Sequence, residues 1–132
     1  MIIVEEVIQN LKDREIISIL VTAGPIQVAR LLGDKFNFDE IYGSNYEVKD
    51  NLFTGNIIKH LGDSGKVDSL MSFCKENNMS LDKCIAIGDS DSDLELFKKC
   101  KKSIAINYSD ILIGKADVYI RTEDISDILE HF

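Results

Sequence analysis

Proline is almost missing from this 132-residue chain. Pro25 stands alone, so no Pro-rich linker divides the sequence, and no repeat or low-complexity tract does either. The length suits one domain, residues 1–132, with a sizeable core. Cysteine is scarce as well. Cys74, Cys84 and Cys100 are odd in number and contain no C-x-x-C spacing, which excludes a fully paired disulfide framework. Reduced thiols of a cytoplasmic protein are the simplest reading. No apolar run approaches membrane-spanning length, and Met1 opens no signal peptide. Positive charge is in deficit: 15 basic residues face 23 acidic ones, a net charge of −8. That disfavours nucleic acid and anionic membrane as partners. A small phosphorylated ligand stays compatible, since a local Lys or a metal overrides the global charge.

What is present centres on Cys84-Ile85-Ala86-Ile87-Gly88-Asp89-Ser90-Asp91-Ser92-Asp93-Leu94. A short continuous apolar run reads as a buried parallel strand. It breaks at Gly88 into three alternating carboxylates. Ligands of open α/β sheets sit outside the carboxyl ends of the strands, which puts Asp89 at the mouth of a site. Clustered carboxylates repel unless a cation or a basic side chain joins them, and such oxygens suit Mg²⁺. The plainer reading is a solvated acidic turn, with Ser90 or Ser92 capping the next helix. An EF-hand loop fails, because Leu94 stands where its Gly belongs and Cys100 where its Glu belongs.

Along the chain, Val4, Val7, Ile8 and Leu11 recur at helical spacing, closed by Lys12-Asp13-Arg14. The run 16–21 predicts a buried strand. Thr22-Ala23-Gly24-Pro25 predicts a loop, with Pro25 in the first turn of a helix that reaches Gly33. Residues 38–42 predict a strand, and Lys49-Asp50-Asn51 a hairpin turn. Gly62 to Gly65 reads as a loop, and Lys66 opens a helix carrying Val67, Leu70, Met71, Phe73 and Cys74 up to Asn77-Asn78. After the strand before Asp89 come a helix with Leu94, Leu96 and Phe97, a strand at 103–106, a short helix at 111–114, a strand at 117–120 and a last helix at 124–129. Alternating strands and helices predict an α/β domain, a mainly parallel sheet with helices on both faces.

Two further features carry chemistry. Thr22, Ala23 and Gly24 offer a hydroxyl and free amides at a helix start, an anion-binding arrangement also common in plain caps. Lys66 follows Gly65 at a helix start, where the helix dipole disfavours a cation. It is either a surface Lys or one with an anion nearby. A P-loop is excluded, because His60 replaces the first Gly and Val67 the Ser or Thr after the Lys.

The ordered set Ser18-Ile19-Leu20-Val21-Thr22-Ala23-Gly24, Gly65-Lys66 and Gly88-Asp89-Ser90-Asp91-Ser92-Asp93 resembles the second, third and fourth motifs of the haloacid dehalogenase-like superfamily, in its phosphoserine-phosphatase-like branch. Ser103-Ile104-Ala105-Ile106-Asn107 and Lys115-Ala116-Asp117-Val118 look like that family's closing strands. The likeness covers nearly the whole chain and implies a Rossmann-like core. It implies that Thr22, with Ala23 and Gly24, holds a phosphate oxygen, and that Lys66 neutralises phosphate and nucleophile. It implies Asp89 as a Mg²⁺ ligand and Asp93 as a brace for the metal site or for Lys66. Ser90, Asp91 and Ser92 depart from the commoner Gly, small residue and Asn, so substrate preference does not carry over.

The family's first motif, Asp-x-Asp on the first strand, supplies the nucleophile and the general acid–base. Here Asp-x-Asp occurs only at 89–91 and 91–93, inside the fourth motif. The first strand and the cap are missing from this sequence. The resemblance therefore implies a phosphomonoester hydrolase deficient in turnover as this chain, with weak Mg²⁺ binding. The alternatives are half of a split phosphatase, completed by a separate N-terminal partner chain, and a non-catalytic phosphate-binding or protein-interaction module. In the family the first strand lies between the strands ending at Thr22 and Asp89. Direct pairing of those two strands is the favoured way to close the gap, with homo-oligomerisation through exposed apolar surface.

Overall fold

The computed structural model describes residues 2–132 and divides into two compact units, Met1–Gly62 and Asp63–Phe132. In the first unit, α1 (Ile2–Asp13) buries Val7, Ile8 and Leu11 on one face. Next come β1 (Ile19–Pro25), α2 (Ile26–Lys35), β2 (Glu40–Lys49) and β3 (Leu52–Lys59), in the sheet order β1-β2-β3. β1 and β2 are parallel, and β2 and β3 form an antiparallel hairpin. Its loop is Asp50-Asn51, both at positive φ (51° and 61°), as a two-residue type I′ turn requires. Gly33 of α2 lies against Ile41, whose side chain fills the space a Cβ would need.

The second unit comprises α3 (Asp63–Glu76), β4 (Ile85–Gly88), α4 (Leu94–Lys99), β5 (Lys102–Ile106) and β6 (Val118–Ile120). Short 3₁₀ turns precede β4, α4 and β6, and one closes the chain at Ile125–His131. The sheet β4-β5-β6 is parallel throughout, and Ile104 and Ala105 of its central strand are fully buried. α3 turns Val67, Leu70, Phe73 and Cys74 inward.

The α/β class with parallel pairing is as the sequence predicts, and several boundaries are not. β1 runs on through Thr22–Pro25, the segment expected to be loop. A register shift between Val21 and Pro25 lets the chain stay paired with β2, and the Ser44 hydroxyl donates to the Ala23 carbonyl at 2.7 Å. α3 begins at Asp63, so Lys66 lies inside a helix that starts within the expected loop. The closing segment is 3₁₀ rather than α. The largest correction concerns the sheet. β1 takes its hydrogen bonds from β2 and β4 from β5, and the two belong to separate sheets. Among the described residues, the direct β1–β4 pairing favoured from the sequence is not present. Each strand is an edge strand, and β1 is part-exposed along its whole length.

Both units fasten their parallel pair by the same device. At the start of β1, the Ser18 amide and hydroxyl donate to one Asp39 oxygen at 2.8 and 3.3 Å. Beside β5, the Ser103 amide and hydroxyl donate to one Asp117 oxygen at 2.8 and 3.2 Å.

Candidate active site

The site in the second unit is assembled from α3 and the turn after β4. Lys66 lies one turn before Leu70, on the apolar face of α3, and is 6% exposed. A buried ammonium needs a partner. Its Nζ donates to Asp93 Oδ1 at 2.9 Å and to Ser92 Oγ at 2.8 Å. An ammonium has three donors, so one N–H remains for a further acceptor. Asp93, 7% exposed, ends the 3₁₀ turn Asp91–Asp93 and sits at the start of α4, where a carboxylate complements the helix dipole. Its second oxygen accepts from the Asp89 and Ser90 amides at 3.0 and 3.3 Å. Gly88 makes this possible. A Cβ there would run into the Asp93 carboxyl group.

Asp89 differs in kind. Its backbone amide is tied to Asp93 and its carbonyl accepts from the Ser109 amide at 2.9 Å, but its side chain is exposed and has no described partner. It borders a cavity of about 290 Å³ lined by Gly88, Ile106, Asn107, Thr122, Glu123 and Ile125. That cavity opens at the carboxyl ends of β4 and β5, the place where parallel sheets hold ligands. Asn107, at φ 44°, secures its far wall: its side chain accepts from the Thr122 amide and donates to the Thr122 carbonyl, both at 3.0 Å.

The structure therefore brings Lys66, Asp89 and Asp93 into one hydrogen-bonded group. Thr22, Ala23 and Gly24 belong to the first unit, at the end of β1. There the Gly24 amide donates to Thr22 Oγ1 at 3.0 Å, so one amide expected to be free for an anion is already engaged. The Thr22 hydroxyl proton is not used in that bond. Ser92, Asn107 and Thr122 are site residues that the sequence reading did not single out as functional. Ser92 carried a signal, a hydroxyl beside the carboxylate that holds Lys66. Asn107 and Thr122 carried none, because they are 15 residues apart and meet only through the β5–β6 pairing.

No group of three or more His, Cys, Asp or Glu among the described residues could hold a metal ion. Both Asp93 oxygens are committed to Lys66 and to amides. Asp89 and the neighbouring exposed Asp91 offer carboxylates with no described partner, which does not make a complete site.

The second unit thus sets a buried Lys–Asp pair and an exposed carboxylate at the carboxyl end of its first strand. Comparison supplies the class. The family profile of the haloacid dehalogenase-like hydrolases matches residues 3–98, and the chain belongs to that family. A phosphoserine phosphatase of Methanocaldococcus jannaschii is 30% identical over 128 residues, covering 96% of this chain and 61% of that protein. One from Idiomarina loihiensis is 26% identical, covering 95% and 57%. Among solved structures, a phosphoserine phosphatase in apo form superposes with a TM-score of 0.90 at 29% identity, covering 97% of this chain and 64% of that one. A substrate-bound phosphoserine phosphatase complex gives 0.89, with 97% and 61% covered. The chain thus spans about three fifths of the length of the relatives it matches.

Proposed function

We propose that this chain is the phosphate-binding part of a phosphoserine-phosphatase-like hydrolase, acting on a small phosphorylated metabolite in a reducing, cytoplasmic setting. The observation that carries the reading is the buried Lys66–Asp93 pair, set beside the unpartnered Asp89. Of the two roles read for Asp93, the geometry supports the brace: it holds Lys66 with one oxygen and the Asp89 turn with the other. Lys66 keeps one donor for a phosphate oxygen, and the Thr22 hydroxyl supplies another in the family arrangement. Asp89 is the carboxylate for Mg²⁺, which would neutralise phosphate charge when bound. Asp89, aided at most by Asp91, holds Mg²⁺ weakly, because this ion keeps most of its waters unless substrate phosphate completes the shell.

Turnover needs a nucleophile as well as positioning and charge neutralisation. No Asp-x-Asp stands outside the fourth motif in this sequence, so the chain by itself binds and does not turn over. β1 and β4 are both edge strands, and this favours the split reading over the plain interaction module. An added strand would gain backbone hydrogen bonds at such an edge.

The test measures phosphate release from phosphoserine with Mg²⁺, beside phosphate binding followed by ³¹P NMR. The purified chain is expected to release phosphate no faster than its Lys66→Ala variant, yet to bind phosphate more tightly than that variant. Mg²⁺-dependent turnover that vanishes in Asp89→Asn would refute the deficiency. Phosphate binding untouched by Lys66→Ala would refute the site.

A further inference from the structure

We propose that Cys74 and Cys84 form a redox-active pair that closes to an intramolecular disulfide, fastening the carboxyl-terminal end of α3 to the root of β4. The two Sγ atoms lie 3.8 Å apart, inside one compact unit. Cys74 is two residues from the end of α3 and almost fully buried. Cys84 is half-buried and immediately precedes β4, with its thiol 3.6 Å from the Ser80 carbonyl. A disulfide needs the sulfurs about 2.05 Å apart, so they must approach by roughly 1.8 Å. An approach of that size is of the order a side-chain rotamer change supplies. Nothing in the proposed hydrolase chemistry uses these thiols, and their spacing matches no C-x-x-C motif.

The chemistry needs a disulfide oxidant of low molecular weight, such as glutathione disulfide. Cys84 is the more accessible thiol and attacks first. Its thiolate takes one glutathione sulfur, and the other glutathione leaves as a thiolate. Cys74 then loses its proton and displaces the second glutathione. Two protein thiols are oxidised to one disulfide, and one glutathione disulfide is reduced to two glutathione thiols. Burial, with Cys74, Cys100 and Asp82 nearby, pushes the Cys84 thiol up to about 12. Burial and Cys74 push Cys100 up to about 11. Thiolate is therefore scarce near neutral pH. The pair stays reduced in brief exposure, and closure accelerates about tenfold per pH unit. The bond would tie together α3, which carries Lys66, and β4, which leads to Asp89, from the end of the strand away from the site.

The full chain is incubated with glutathione disulfide at about pH 8.5, where exchange is faster. It is then alkylated, digested with trypsin and mapped by mass spectrometry. The expected product joins peptide 67–75 to peptide 84–98, and the melting temperature rises by roughly 5–10 °C. Cys100→Ser should leave both results unchanged. Cys74→Ser should abolish the link and leave Cys84 as its glutathione adduct. A Cys84–Cys100 link, a mixed disulfide that persists at Cys84 in the unmodified chain, or a link that leaves the melting temperature unmoved would each overturn the proposal.

Discussion

Each unit contains a parallel strand pair clamped by Ser and Asp, β1–β2 in the first and β5–β6 in the second, and around it the two diverge. The second sets a further parallel strand, β4, beside its clamped pair and fully buries Ile104 and Ala105 at the centre of the sheet. The first adds an antiparallel arm, β3, that is exposed at every residue. Its most buried strand position is polar: Ser44 is fully buried, donating to Ala23 and accepting from the Leu61 amide at 2.7 Å. The two buried side-chain oxygens left without a partner among the described residues, on Asn10 and Gln27, are also in the first unit. The second unit is thus closed around an apolar core with one charged pair at the site. The first is held more by polar clasps. The difference explains where a chemical group is kept rigid and where backbone is left to receive other contacts.

Four substitutions break or sharpen this contrast. Lys66→Ala leaves Asp93 buried without its counter-charge and is expected to cost about 3–5 kcal/mol, read as a lower urea midpoint. A loss well below 1 kcal/mol would mean that the pair is solvated in solution. Gly88→Ala sets a methyl group against the Asp93 carboxyl and should cost about 1–3 kcal/mol. It should also displace Asp93 from Lys66, which a shift of the Lys66 side-chain NMR signals would register. In the first unit, Ser44→Ala removes a donor to Ala23 and an acceptor for Leu61, and should cost about 1–3 kcal/mol. If its effect matched a surface substitution, the polar-clasp account of that unit would fail.

The smallest effect concerns pH. Burial works to raise the Asp39 carboxyl, but the Ser18 amide and hydroxyl, with Lys12 at 3.2 Å, hold it below its ordinary value. Its folded value is depressed, so its contribution is present above the unfolded value and lost as pH falls through the folded one. Asp39→Asn should therefore lower stability by about 1 kcal/mol at neutral pH, since the group is largely solvated, and should flatten the acid limb of the stability curve. Denaturant titrations at neutral and acid pH compare the two. Equal losses at both would remove Asp39 from the acid response.

Much of this was legible in the sequence because it is local. The Asp50-Asn51 turn follows from residues that tolerate positive φ, and the end of β4 follows from an apolar run broken at Gly88. Lys66 announced itself as a cation where a helix start disfavours one. Its partner came only through the family resemblance, which named Asp93 as a brace for the metal site or for Lys66, because the contact spans 27 residues and depends on how α3 meets the turn after β4. The length of β1 was hidden for a similar reason. Thr22 to Pro25 read as loop by composition, and a bulge with the Ser44 clasp keeps them in the strand. The strand order was not legible, because it depends on residues far apart in the chain, and β1 stays part-exposed, so water can satisfy its backbone groups.

The irregular pairing of β2 with β3 bears on edge-to-edge contact between copies of the chain. Register shifts flank Tyr46, and Gly55 sits at φ 93° in the middle of β3. A strand bent in this way offers a neighbouring molecule only short stretches of matched donors and acceptors. Leu52, Phe53, Ile57 and Ile58 can thus remain in water without the arm becoming a seed for ordered stacking between copies.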